Sequence, residues 1–220
     1  MATTKTSVLA LILALATSPL MAQTTETPVE VPAVAADAVT EDGLSMGVDL
    51  GGAPGAPYTV AKFEAWEQRC VKGDAGIETC QLYMLLKDAS GVATAEFALF
   101  GLPAGSEGPA VAGATFIAPL ETLLTTGMSL QIDGGEAKAY PFSVCTQIGC
   151  VARLGFTAEE VQALKNGANA TITVVPYVAP DQRVDLTLSL AGITAGLAAV
   201  DAANLLADEA RKAAEGAADQ

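Results

Sequence analysis

Thr79-Cys-Gln-Leu-Tyr-Met-Leu-Leu-Lys87, Asp88-Ala-Ser-Gly91 and Ala93-Thr-Ala-Glu-Phe-Ala-Leu-Phe100 form the stretch on which the fold turns. Two strand-like runs flank a segment of turn-forming residues, the pattern of a β-hairpin. The same texture continues on both sides. Toward the N-terminus, Lys62-Phe-Glu-Ala-Trp66-Glu-Gln-Arg-Cys70 alternates and ends at the first cysteine. Toward the C-terminus come Ala112–Ala118 before Pro119, and Met128–Asp133 leading into Gly134-Gly135. Ala137–Cys145 and Val151–Phe156 follow, then Ala170–Val178 and Arg183–Leu190. About seven to nine short strands separated by turns predict an all-β domain, an antiparallel β-sandwich of immunoglobulin-like type, over residues 58–200. Trp66, four residues before Cys70, suits its core as a buried indole.

One short helix interrupts the strands. Thr157-Ala-Glu-Glu160 reads as a capping box, in which the Thr hydroxyl and the Glu carboxylate satisfy the first backbone N–H groups reciprocally. Val161 and Leu164 share a face, and Asn166-Gly167 supplies a left-handed stop. A second helix is predicted at the C-terminus from Ala195, docking through Leu197 and Val200. Its residues 201–220 form a frayed acidic tail.

Lys5, the apolar run Val8–Ala16 and the small residue Ala22 before Gln23 form a signal-peptide pattern, with residues 1–22 removed on export. The run is shorter than the roughly 20 residues that span a bilayer. Gln23 stands where a lipid-attachment box needs Cys, so the mature form is expected to have no acyl anchor and no membrane span. Residues 23–57, rich in Pro, Thr, Gly and acid, read as a disordered tether. Net charge is −14, or −15 once Lys5 leaves with the signal. That surface repels nucleic acid and anionic lipid headgroups.

Trp66-x-x-x-Cys70, Cys80, Pro119 with Gly127-x-x-Leu-x-Ile-Asp133, and Phe142-x-x-Cys145-x-x-x-Gly149-Cys150 recur as a set. Leu164-Lys165-Asn-Gly167 and Ser189-Leu-Ala-Gly192 fit with them. In these motifs the chain resembles the invasion-associated locus B proteins of alphaproteobacteria, from about Phe63 to Val200. The resemblance implies an exported β-sandwich with locally paired cysteines, in which Trp66 and Gly149 have structural roles. The family takes its name from a part in the invasion of red cells and host cells.

An exported chain with four cysteines reads as a disulfide framework. Cys70-x₉-Cys80 is too open for a zinc knuckle, and Cys145–Cys150 falls in a hairpin rather than at the helix start that redox pairs use. Bridges 70–80 and 145–150 are therefore expected. The chain has no histidine, which removes the usual general base and the commonest metal ligand. Ser129 lies in Gly127-Met-Ser-Leu-Gln131, which lacks the second glycine of a nucleophile elbow. Asp133 with Glu136, and Asp181 with Asp185, sit at turns, where Asp serves local backbone geometry. Asn169-Ala-Thr171 matches a glycosylation sequon by chance. No catalytic residue, metal or cofactor is expected. The expectation is a non-enzymatic periplasmic protein, or one at the cell surface or secreted, that touches an envelope protein or a host surface. The alternative is a small-ligand module with a pocket between the sheets or beside Trp66.

Overall fold

A computed structural model describes residues 55–73 and 76–218. The predicted signal peptide and nearly all of the predicted tether lie outside the described residues. The strands are β1 (Pro57–Phe63), β2 (Trp66–Lys72), β3 (Glu78–Lys87), β4 (Ala93–Gly101), β5 (Ala112–Ala118), β6 (Met128–Ile132), β7 (Ala137–Tyr140), β8 (Phe142–Thr146), β9 (Gly149–Phe156), β10 (Asn169–Val174) and β11 (Val184–Ser189). Helix α1 is Ala158–Asn166 and helix α2 is Ile193–Ala218. All pairings are antiparallel, in one sheet ordered β1-β2-β3-β4-β5-β9-β8 and a second ordered β11-β10-β6-β7.

Strand-period alternation decides which faces meet. Trp66 and Cys70 on β2, Leu82, Met84 and Leu86 on β3, and Phe97 and Leu99 on β4 are buried on one face of the first sheet. Ile172, Leu186 and Leu188 of the second sheet and Ile193, Leu197 and Val200 of α2 join the same core. The inner face of the first sheet is thus covered partly by α2, which packs on β2, β3 and β4, and partly by the second sheet, which reaches β3 and β9. Trp66 ties the layers together: its Nε1–H donates to the Ser189 carbonyl of β11 at 2.9 Å, and Phe97 meets the ring edge-on.

The strands number more than expected because two predicted runs are each cut in two. Glu64 takes a left-handed backbone (φ 56°), turning β1 into β2 inside the run Lys62–Cys70. Pro141, which has no N–H to donate, separates β7 from β8 and lets the chain pass from one sheet to the other. Helix α1 carries the complete capping box. Its stop differs from expectation: Gly167 is extended, with φ −75° and ψ 162°, not left-handed. The position is crowded instead: a Cβ would lie 2.8 Å from Leu190 Cδ1 and 2.9 Å from Asp133 Oδ2, so those side-chain ends would have to shift.

Candidate functional site

The first sheet has two dissimilar ends, each beside a disulfide. Cys70 pairs directly with Cys80 across β2 and β3, and the two are bonded. Cys145 pairs directly with Cys150 across β8 and β9, and these are bonded too. Cys150 lies opposite Ala118, at the far end of β5 from Ala112. The ends are therefore about 20 Å apart along the strands, at 3.3–3.4 Å per residue.

At the Cys70–Cys80 end, β4 peels away from β3. Their register runs from Leu86–Ala95 to Leu82–Leu99 and stops before Cys80 would face Gly101. Two side chains one helical turn apart on α2 occupy the notch. Asn204 Oδ1 accepts from the Cys80 N–H at 2.8 Å and its Nδ2 donates to the Cys80 carbonyl at 3.0 Å, replacing the missing strand. Asp201 sits against Gly101, where a Cβ would lie 2.2 Å from Oδ1. Burial pushes the Asp201 carboxyl up, against the opposing pull of the Gly101 backbone and Lys165.

The separation opens a groove of about 560 Å³ between α2 and the strand ends. Phe100, Leu102, Val111, Leu205 and Ala207 supply apolar walls. The charged side chains are Asp201, Asp208 and Arg211, and Arg211 donates to Asp208 at 2.8 Å. Neither Asp201 nor Asn204 carried a signal in the sequence, which read both as part of a tail. Only the point where β4 leaves β3 shows what they bond.

The opposite end is apolar and exposed. The β8–β9 turn projects Ile148, which is 75% exposed, and Gly149 packs so tightly that a Cβ would lie 2.3 Å from the Ala118 carbonyl. Immediately after Ala118, the loop through Thr122 bridges to Pro176, and the Tyr177 N–H donates to the Glu121 carbonyl. Register and these bonds bring Leu120, Leu124, Val144, Ile148, Tyr177 and Val178 to one end, all exposed, with Tyr177 and Val178 at 70% and 77%.

The remaining candidates serve the fold. Asp133 accepts from the Ala168 and Asn169 N–H groups, first from Asn169, which hold its carboxyl below the usual range. Asp185 accepts from the Thr173 hydroxyl at 2.6 Å. Ser129 lies within β6, opposite Ala139. Trp66 is fully buried and lines neither this groove nor a second cavity. The second, of about 260 Å³, lies between α1 and the second sheet, with Lys138 and Glu160 paired at it. Among the described residues no three His, Cys, Asp or Glu side chains converge as metal ligands, and no helix is long and apolar enough to cross a membrane.

Residues 66–201 match the family described as Invasion associated locus B (IalB) protein. Two Invasion protein B homologs, from Brucella abortus strain 2308 and from Brucella abortus biovar 1 strain 9-941, are each 38% identical over 79 residues. That match covers 36% of this chain and 45% of each relative, less than half its length. The crystal structure of invasion associated protein B from Bartonella henselae superposes with a TM-score of 0.54 at 19% identity, covering 65% of this chain and 94% of that one. At that identity the likeness is one of fold.

Proposed function

The chain belongs to the Invasion associated locus B family, and on that premise we propose that it is an exported, non-enzymatic protein of the cell envelope that works by protein contact through its apolar end. The observation carrying this reading is the concentration of six exposed apolar side chains around the Ile148 turn and the Leu120 and Tyr177 loops. Exposed apolar side chains gathered into one patch mark interaction surfaces, whereas scattered ones need no explanation. Short hairpins and a disulfide hold this patch in shape, so little ordering entropy is lost on binding.

The partner is a protein with an apolar centre and a Lys/Arg rim. Glu121 bonds the Tyr177 backbone through its carbonyl, Asp181 follows Val178 by three residues, and the chain as a whole carries −14. A second copy would bring the same charge to the contact, while a basic rim would be attracted. A photo-crosslinker placed at position 148 or 177 of the exported protein in living cells tests this. One envelope protein should be captured in near-stoichiometric yield, and Ile148→Asp should abolish capture from position 177. Added salt should weaken the association. Equal capture from position 79, at the other end, would sink the assignment of the contact surface.

A further inference from the structure

The groove at the opposite end has a chemistry of its own. Its volume falls within the range of small-molecule sites, roughly 300–1,000 Å³. Its walls are largely apolar, with Thr79 and Gln81 as neutral polar groups, and two of the polar groups that α2 contributes are committed. Both amide atoms of Asn204 are spent on the Cys80 backbone, and Arg211 is paired with Asp208. The remaining charge in the groove is the Asp201 carboxylate, beside the Gly101 backbone. An anion would meet this carboxylate and the field of a −14 chain, with no uncommitted guanidinium in the groove to receive it. A neutral apolar molecule would strip water from the carboxylate and add no charge to the pull of the Gly101 backbone and Lys165, which is costly. A cationic head on an apolar body satisfies both parts at once.

We infer that the groove between α2 and the ends of β3 and β4 is a binding site for a small amphiphilic amine, whose ammonium pairs with Asp201 and whose hydrocarbon lies against Phe100, Leu102, Val111 and Leu205. The site lies at the end remote from the proposed protein contact and does not depend on it. Helix α2 forms it by holding β3 and β4 apart, so one helical turn both builds the groove and supplies its charge.

Octylammonium is a suitable probe, with octanol and octanoate as neutral and anionic counterparts of the same length. Each is titrated into the full ¹⁵N-labelled chain while amide shifts are followed by NMR. Octylammonium should give saturable shifts at Gly101, Leu102, Val111 and Asn204, and none at Ile148 or Tyr177. Octanoate should bind at least tenfold more weakly. Asp201→Asn keeps an oxygen for the Gly101 backbone and removes the charge, so it should weaken octylammonium at least fivefold, to the level of octanol. Leu205→Gln, on an exposed stretch of helix, should weaken octylammonium and octanol alike. Octanoate binding as well as octylammonium, an unchanged affinity in Asp201→Asn, or shifts spread over both ends would each overturn the assignment. A folded Asp201→Asn is verified from the unchanged remainder of its spectrum.

Discussion

The two disulfides close short loops, spanning 10 and 5 residues of sequence, yet they stand in opposite surroundings. Cys70 and Cys80 are 1% and 3% exposed beneath α2, and the backbone of Cys80 is clasped by Asn204. The second bridge is buried at one end only: Cys150 is 1% exposed, but Cys145 is exposed on the edge strand β8, and the loop between them carries the exposed Ile148. The same covalent bond therefore serves two ends: at one it lies within the core on which a helix docks, at the other it stiffens a projecting hairpin. Covalent chemistry is common to both ends. Burial is what separates them.

The contrast breaks most visibly when the bonds are removed. Replacing both Cys70 and Cys80 by Ala should cost about 3 kcal/mol from chain entropy alone, and more from lost sulfur packing. Replacing both Cys145 and Cys150 should cost about 2 kcal/mol, because the loop is shorter. Thermal melts of the two variants, at about 2–4 °C per kcal/mol for a chain of this size, should rank them in that order. An equal or reversed ranking would overturn both the loop-length difference and the packing contribution of the buried bridge. Thiol labelling under graded reductant sharpens the same point: the Cys145–Cys150 bridge should open before Cys70–Cys80, by attack at the exposed Cys145, since attack on a disulfide depends on access.

Asn204→Ala comes next. It leaves the N–H and carbonyl of Cys80 without their partner, for a loss of about 1–2 kcal/mol. Hydrogen exchange should quicken at Cys80 and along the second half of α2, with β8 and β9 unchanged. A pH series probes the joint between the β6–β7 turn and the α1–β10 junction, away from both disulfides. The Asp133 carboxyl is held low by the Asn169 and Ala168 N–H groups, so its folded value lies below the unfolded one. Its stabilisation is full above the ordinary carboxylate range and disappears as pH falls through the folded value. Asp133→Asn should therefore melt earlier than the parent near neutrality, and the gap should close in acid. The smallest stability change belongs to Ile148→Ser, within about 0.5 kcal/mol because the side chain is exposed. It should nevertheless reduce crosslinking at the apolar end, which separates a contact residue from a structural one.

Much of this was legible along the chain. The hairpin Lys87–Ala93 follows from Asp88 and Gly91, and in the structure Asp88 accepts from the Ser90 and Val92 N–H groups while Gly91 takes φ 85°. The capping box of α1 was visible because its partners are three residues apart. Trp66 could be assigned to the core by type, but its partner Ser189 is 123 residues away and no local pattern marks it. Gly167 illustrates the remaining gap. As a residue after a helix it suggested a left-handed stop, yet what favours a small residue there is the approach of Leu190 and Asp133 from other elements.

Sequence alone determined the β-rich class, the family, the acidic charge and the local strand and helix signals, because each depends on residue type and near spacing. Only the tertiary structure decided that β4 leaves β3 at Cys80, that Asp201 and Asn204 fill the notch, and that six apolar side chains from β8 and from separate connecting segments share one end. Those arrangements depend on register and on contacts between residues far apart in the chain, and the energies that select them are summed over the whole core.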